Sequence, residues 1–384
     1  MKKYLIPILL ASSSLHAATL NGFDVNAYGF IKASAMYADH ALASFNNINM
    51  SAPTSAVART RSQDKTSRMS TQLQQSRIGM NMKKGDNLSA KLEFDFIDFN
   101  KSSPTTQMNP RVRIASVTYA WENNKIIIGQ DWDLFSPVTS FTFDYVGLYF
   151  GAGNTGFMRQ QVQYLKDLGK WELGGALGMA GNNPGVVDND LELSKSPTYS
   201  ARATYKIDEK SRIGVSGIYS RLNYQTAVGA DGSTHDSYAG NAFYEQGWDG
   251  MTVKSEIYYG QNLNNIGTLA IGKGTQSSDV KEYGALLTAH YRVFDKNFIF
   301  GGAGFARVDN KSQLTPYALN ATNVISSPGI RSNILTRVGW EYRVTDDFSW
   351  MTEVSRFETD SKVGADKYQL NIVGSLETGI QLRF

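Results

Sequence analysis

The stretch Leu88-Ser-Ala-Lys-Leu-Glu-Phe-Asp-Phe96 carries the pattern that decides the fold. Leucine, alanine and phenylalanine occupy its even positions, whereas serine, lysine, glutamate and aspartate occupy the odd ones. Successive side chains of a β-strand point to opposite faces, so this stretch is predicted to be a strand with one apolar face and one wet face.

The same alternation recurs along the chain and predicts about sixteen strands, an even number typical of bacterial outer-membrane barrels. The predicted strands cover 25–37, 70–82, 88–99, 111–121, 125–132, 158–165, 170–180, 198–206, 211–221, 237–246, 250–260, 281–292, 297–308, 330–342, 349–357 and 368–384. One of them is irregular, because Arg111 and Arg113 share their parity with Val117 and Tyr119. A β-bulge within 111–121 reconciles the two halves of this strand.

The connections alternate between short and long. The short ones are 83–86, 122–124, 166–169, 207–210, 247–249, 294–296 and 343–348, and the long ones are 38–69, 100–110, 133–157, 181–197, 222–236, 261–280, 309–329 and 358–367. We therefore predict an all-β protein, a transmembrane up-and-down antiparallel β-barrel with long extracellular loops and short periplasmic turns. A soluble β-sandwich gives no reason for this alternation.

Composition excludes several other classes. The 384 residues contain no cysteine, which rules out disulfides, cysteine-based zinc sites and a cysteine nucleophile. The 38 basic residues nearly balance 35 acidic ones, so we expect no nucleic-acid partner. We also predict no catalytic residue, no cofactor and no metal site.

The N-terminus is typical of a secretory signal peptide. Lys2 and Lys3 precede the short apolar run Tyr4–Ala11, and Leu15-His16-Ala17 forms a cleavage site before Ala18. We predict a signal peptide over 1–17 and a single barrel domain over 18–384.

The last strand provides a second signal for a barrel. Leu376, Ile380 and Leu382 alternate with polar residues up to the terminal Phe384, as in the signal that the outer-membrane barrel assembly machinery recognises. Pairing of 368–384 with 25–37 closes the sheet and removes both of its edges. Aromatic residues near strand ends are expected to form belts at the two lipid–water interfaces.

A barrel of this size leaves an aqueous lumen, which polar and charged side chains are expected to line. The basic pore-lining candidates are Arg77, Lys91, Arg111, Arg113, Arg159, Arg202 and Arg337. We expect Arg77, Arg111, Arg113 and Arg159 to form one basic wall, since a guanidinium bonds both oxygens of a carboxylate. In the alternative, these arginines only pair with Glu93, Asp95 or loop acids and stiffen the barrel.

The segment 131–157, DWDLFSPVTSFTFDYVGLYFGAGNTGF, is unusually aromatic for an exposed loop. We predict that it folds into the barrel as a constriction. Its acids Asp131, Asp133 and Asp144 are then expected to face the arginine wall across the narrowed passage. The alternative is an additional strand over Val138–Phe150.

Five motifs resemble those of Gram-negative porins, and more narrowly those of the DcaP-like porins. They are Gly29-Phe-Ile-Lys32, Ser76-Arg-Ile-Gly79, Leu92-Glu-Phe-Asp-Phe96, Asn109-Pro-Arg-Val-Arg113 and Gly129-Gln-Asp-Trp-Asp-Leu-Phe135. The resemblance implies a homotrimer in the outer membrane, in contact with lipid and lipopolysaccharide, that takes up dicarboxylates and other small anions. In that family, arginines give the channel its preference for anions, and the resemblance implies the same role for Arg77, Arg111, Arg113 and Arg159.

The predicted function is therefore passive diffusion of small hydrophilic solutes with a mild preference for anions, and no chemical step. Two alternatives remain open. A surface receptor or adhesin is suggested by Arg59, Arg61, Lys65 and Arg68 in the first long loop, which also read as an ordinary solvated run of charge. A barrel hydrolase is disfavoured because no serine motif surrounds His40 or His235.

Overall fold

A computed structural model of the chain describes residues 18–40, 42, 66–97, 109–180, 196–223, 233–275, 277–316, 318–319, 325–327, 329–365 and 367–384. The predicted signal peptide lies outside these residues, as does most of the first long loop. No helix in the described part of the chain has the length and apolar character needed to cross a bilayer.

The described residues form a closed antiparallel barrel of sixteen strands, as predicted from the alternation. In chain order the strands are β1 (Phe23–Ala38), β2 (Arg68–Gln72, continued by Arg77–Lys84), β3 (Leu88–Asp95), β4 (Arg111–Trp121), β5 (Asn124–Trp132), β6 (Met158–Leu168), β7 (Trp171–Gly178), β8 (Thr198–Lys206), β9 (Arg212–Asn223), β10 (Thr234–Trp248), β11 (Met251–Gln261), β12 (Lys281–Phe294), β13 (Asn297–Val308), β14 (Ile330–Arg343), β15 (Phe348–Lys362) and β16 (Tyr368–Arg383). Outside the barrel strands, Ala18–Leu20 forms a hairpin with the start of β1, and Ala318–Leu319 pairs with Ile325–Ser327.

Closure occurs where the C-terminus predicted it. β16 pairs with β1 from Phe30 opposite Arg383 to Ala38 opposite Ser375. The backbone N–H groups of Gly29 and Phe384 each donate to the other residue's carbonyl, at 3.0 and 3.1 Å. No lateral edge is left between the first and last strands. Their backbone N–H and C=O groups are therefore hydrogen-bonded to each other without help from solvent.

The two faces of the wall differ as the alternation requires. Ile257, Leu287 and Val338 project from the outer face, and each is more than half exposed. Aromatic side chains occupy the outer face near both ends; Tyr199 pairs with Tyr219, which in turn pairs with Tyr238 on the next strand. Such an apolar band with aromatic borders matches a bilayer core and its two interfaces.

β4 contains the bulge that its sequence predicted. Glu93 of β3 pairs with Ile114, but the next residue, Phe94, pairs with Val112, so Arg113 is the extra residue. Arg113 and Ile114 are consequently both buried on the inner side, while Val112 and the later odd-numbered residues face outward.

The seven short turns meet at one end of the barrel, here called the turn end, and the long connections meet at the other, the loop end. Two of the long connections run inside the wall. Residues 133–157, the inner loop, are largely buried and place Val138, Tyr149 and Ala152 in an apolar cluster with strand residues such as Phe357. Residues 262–275, the second inner loop, bury Leu263 and Ile266 in another cluster. No strand of the main sheet lies within the inner loop, contrary to the alternative of an added strand.

Candidate functional site

The inner loop is attached to the inner face of several strands. Asn154 Nδ2 donates to Glu256 of β11 at 2.6 Å, and Asn333 Nδ2 of β14 donates to the Gly151 carbonyl at 3.0 Å. The Phe143 N–H donates to Glu353 of β15 at 2.9 Å. The loop thus crosses the lumen and divides it into a part near the loop end and a part near the turn end.

Arg111 and Arg113 are neutralised by carboxylates on the neighbouring strand β3. Arg111 Nε lies 2.8 Å from Asp95, and Arg113 Nε lies 2.8 Å from Glu93. Arg113 also reaches Asp95 at 3.3 Å, and its guanidinium sits 5.8 Å from the ring centre of Trp132. These two arginines therefore agree with the alternative in which the arginines pair with Glu93 and Asp95 and stiffen the barrel.

Arg159 and Arg77 line different cavities, so the four arginines do not line one open space, although Arg77 lies within electrostatic range of Arg113. Arg159 shares a cavity of about 540 Å³ with Arg111 near the loop end. Arg77 lines a separate cavity of about 430 Å³ near the turn end and donates to the Tyr145 carbonyl at 2.7 Å. Strand parity correctly assigned all four to the inner face, but it carries no information about their heights.

The remaining basic candidates have distinct surroundings. Arg202 pairs with Glu172 at 2.9 Å, and Lys91 Nζ lies 5.4 Å from the Tyr28 ring centre. Arg337, predicted to line the pore, is instead 1% exposed beneath the inner loop. It is a clamp for that loop, because it donates to Thr142 at 2.6 Å and Asp144 at 3.1 Å.

The acids of 131–157 do not face an arginine wall across a gap. Asp144 pairs directly with Arg337, and Asp133 pairs with Arg159 at 3.4 Å. Asp131 accepts from Ser116 Oγ at 2.8 Å. Burial raises the pKa of Asp133 to about 6, against the lowering effect of Arg159.

Sequence reasoning missed Gln75, which holds the centre of the inner loop. β2 is interrupted at 73–76, and this break turns Gln75 into the lumen, where its side-chain amide donates to Asp144 at 2.8 Å. Gln75 Oε1 accepts from Lys32 Nζ at 2.8 Å and from the Tyr145 N–H at 3.1 Å. The sequence does carry a signal for this break, because the outward apolar residues have odd numbers before it, as in Leu73, and even numbers after it, as in Ile78.

The turn-end cavity gathers more positive charge than was predicted. Arg77, Arg343, Arg383 and His290 line it together with aromatic residues of the inner loop. Three of these four side chains share the carboxylate of Glu341: Arg343 reaches it at 3.0 Å, His290 at 3.4 Å and Arg383 at 3.5 Å. Arg343 had been assigned to a turn, although it has the same parity as the inward Glu341.

A chain of three polar side chains lies at the loop end. Ser233 Oγ is 2.9 Å from His235 Nε2, and His235 Nδ1 is 2.8 Å from Asp279 Oδ1. Asn262 Nδ2 donates to the same Asp279 oxygen at 2.7 Å. Within the described residues, no cluster of three or more histidine, aspartate or glutamate side chains has the arrangement of a metal site.

No protein-family model matches this sequence, and no curated protein matches it. Solved structures do match its fold. The outer-membrane channel DcaP of Acinetobacter baumannii superposes with a TM-score of 0.71 at 17% identity, over 94% of this chain and 98% of that one. The trimer form of OmpT, an outer-membrane protein of Vibrio cholerae, gives 0.56 at 12% identity, over 95% and 100%. A porin refined at 1.8 Å resolution gives 0.50 at 11% identity, over 94% and 100%. The chain therefore has the closed sixteen-stranded fold of outer-membrane channels and porins, as its motifs predicted.

Proposed function

We propose that this chain is a porin of a Gram-negative outer membrane, a passive diffusion channel for small hydrophilic solutes with a mild preference for anions such as dicarboxylates. The observation that carries this proposal is the turn-end cavity, which three arginines line and where two of them, Arg343 and Arg383, share one glutamate. A passage with excess fixed positive charge concentrates anions and slows cations.

The excess of positive charge arises because some cationic side chains of the lumen lack a carboxylate partner. The carboxylates of the lumen, in contrast, are paired or hydrogen-bonded. Among the described residues, Arg77, Lys91 and Lys254 make no ion pair. Asp131, Glu256 and Glu282 also lack ion pairs there. Asp131 accepts from Ser116, and the two glutamates are buried beneath the inner loops and accept hydrogen bonds from neutral donors. Anion preference is proposed to be mild, since Arg111 and Arg113 are already neutralised.

The inner loop is proposed to be the constriction. Its attachment to β11, β14 and β15, and to Gln75 of the β2 break, supports a fixed opening rather than a fluctuating one. Solutes then pass beside it into the turn-end cavity. The charge and width of that passage set selectivity, and no energy source is required.

We further propose a homotrimer in contact with outer-membrane lipid and lipopolysaccharide, assembled by the barrel machinery through the strand ending at Phe384. Support comes from the OmpT neighbour in its trimer form and from the apolar outer belt. The receptor alternative depends on Arg59, Arg61, Lys65 and Arg68; the first three lie outside the described residues, and Arg68 is the first residue of β2.

Succinate block of the chloride current tests the proposed selectivity. In planar bilayers, millimolar succinate is expected to reduce the current through the wild-type channel, and Arg77→Gln is expected to weaken that block. Arg356→Gln is the matched control, because Arg356 lies on the outer face and pairs with Glu358. Equal block in wild type and Arg77→Gln removes Arg77 from the proposal, and absence of any channel refutes the porin function.

A second candidate function, ester hydrolysis, is favoured by one observation: the Ser233–His235–Asp279 chain has the order and distances of a nucleophile, a base and its orienting carboxylate. A serine-directed fluorophosphonate is expected to label Ser233 if the candidate holds, and Ser233→Ala is expected to abolish the label. Lack of labelling in the wild-type protein excludes this function. The three hydrogen-bonded side chains then serve only to cap the start of β10.

A further inference from the structure

The second inner loop is the feature of the lumen that the proposed function leaves unexplained. Leu263 and Ile266 are fully buried and pack with Ile218, Ala239 and Tyr258 of the wall. The loop also holds its own shape: Thr268 Oγ1 donates to the Leu263 carbonyl at 2.7 Å, and further backbone bonds join its two arms. It is a packed element inside the barrel rather than an exposed connection.

Arg159 of β6 joins this loop to two other segments. Its guanidinium donates to the Ile266 carbonyl at 2.8 Å and to the Ala180 carbonyl, just after β7, at 2.9 Å. It also lies 3.4 Å from Asp133 at the start of the inner loop. The side chain is buried, so these acceptors replace the water that a charged group otherwise requires.

The tip of the second inner loop borders open space. Gly267, Thr268 and Leu269 border the loop-end cavity together with Arg111 and with outward-facing side chains such as Val112. The Leu269 N–H donates to the Thr155 carbonyl at 3.2 Å, which ties the tip to the inner loop as well. The tip is therefore held inside the wall at the loop end, where the buried loop occupies part of the cross-section of the barrel.

We propose that residues 262–275 form a second constriction at the loop end, and that Arg159 is the positioning residue that fixes its tip. The proposal rests on the channel function proposed above. Arg159 acts through the backbone of Ile266 rather than by meeting the solute. Its loss removes the bond from the wall to the Ile266 carbonyl, so the tip shifts and the passage widens.

The size limit of the channel tests this proposal. Arg159→Gln is expected to admit neutral polyethylene glycols that the wild-type channel excludes, and to raise the single-channel conductance. Arg221→Gln is the control; Arg221 is an exposed outer-face arginine at the loop end that pairs with Asp236. An unchanged size limit and conductance in Arg159→Gln overturn the proposal.

The chain has no cysteine, so an engineered disulfide can be introduced without competing thiols. It is expected to restore the size limit that Arg159→Gln loses, which a merely structural role of Arg159 does not predict. Thr155→Cys and Leu269→Cys, placed in Arg159→Gln, are expected to restore the wild-type size limit on oxidation and to lose it again on reduction. Failure of the oxidised form to narrow the channel counts against the proposal.

Should Arg159→Gln fail to assemble, deletion of Thr268 and Leu269 in the wild-type background tests the same tip. This deletion is expected to shift the size limit upward, and an unchanged limit overturns the proposal. A wild-type protein that forms no channel refutes the porin function instead, so the two failures are distinguishable.

Discussion

Replacement of Arg337 by methionine tests how the inner loop is held. Arg337 is 1% exposed and is the only arginine that joins Asp144 of the loop to Glu353 of β15 within the described residues. Methionine fills much of the same volume but leaves both carboxylates buried without a cation. Removing one partner from a buried ion pair costs about 3–5 kcal/mol.

Other bonds reduce that cost at this site. Asp144 keeps the Gln75 amide and the Gly147 N–H, and Glu353 keeps the Thr142 hydroxyl and the Phe143 N–H. We therefore take the lower figure, about 3 kcal/mol. Since about 1.4 kcal/mol corresponds to a tenfold change, this shifts the equilibrium between attached and released loop about a hundredfold.

Released loops are expected to appear as frequent closures in single-channel recordings of Arg337→Met, while the barrel itself keeps its heat resistance on gels. Adding Asp144→Asn removes one stranded charge and is expected to reduce the closures. If Arg337→Met closes no more often than wild type, and Asp144→Asn does not change the frequency of closures, Arg337 is not the clamp of the inner loop.

Two further predictions concern pH and backbone geometry. Burial raises the pKa of Asp133 to about 6, above its unfolded value of about 3.9. The stability that the Asp133 carboxyl contributes is therefore fully present below pH ~4 and is lost as pH rises through about 6. Asp133→Asn is expected to unfold at a higher temperature than wild type at pH 7.5 and at the same temperature at pH 4; a lower unfolding temperature at pH 7.5 contradicts this sign. Gly129 has a φ of +127°, and a Cβ there lies 2.2 Å from the Ala115 carbonyl oxygen, so Gly129→Ala is expected to lower the unfolding temperature. Gly175→Ala, which meets nothing within 4 Å, is the control, and equal unfolding temperatures for the two variants reject the steric argument.

The fold was predictable because each of its determinants is local in sequence. Period-two alternation marks a strand wherever one face meets lipid and the other meets water, as in Leu88–Asp95. Even the bulge in β4 was predictable, because an unbroken strand would place the charged Arg113 and the apolar Val117 on the same face. The break at 73–76 left a similar signal that was overlooked, since the apolar parity changes from odd at Leu73 to even at Ile78, but the contacts of Gln75 with the inner loop are distant in sequence and were not predictable.

The site was predictable only in part. Parity assigns Arg77, Arg113 and Arg337 to the inner face, but it gives neither their height nor the segment that covers them. Whether an arginine lines open space or lies buried under a loop depends on contacts distant in sequence, such as Arg337 with Asp144. The second inner loop shows the signal that was overlooked: its apolar Leu263, Ile266 and Leu269 are as unusual for an exposed loop as the aromatics of 131–157.

The reversal potential of the wild-type protein tests the central claim most directly. Purified protein is inserted in a planar bilayer with a tenfold gradient of KCl, and the zero-current voltage is measured. The excess of lumen cations around Arg77, Arg343 and Arg383 predicts a stable open channel whose zero-current voltage has the sign of chloride preference. A zero-current voltage with the sign of potassium preference, or a bilayer that stays closed, contradicts it.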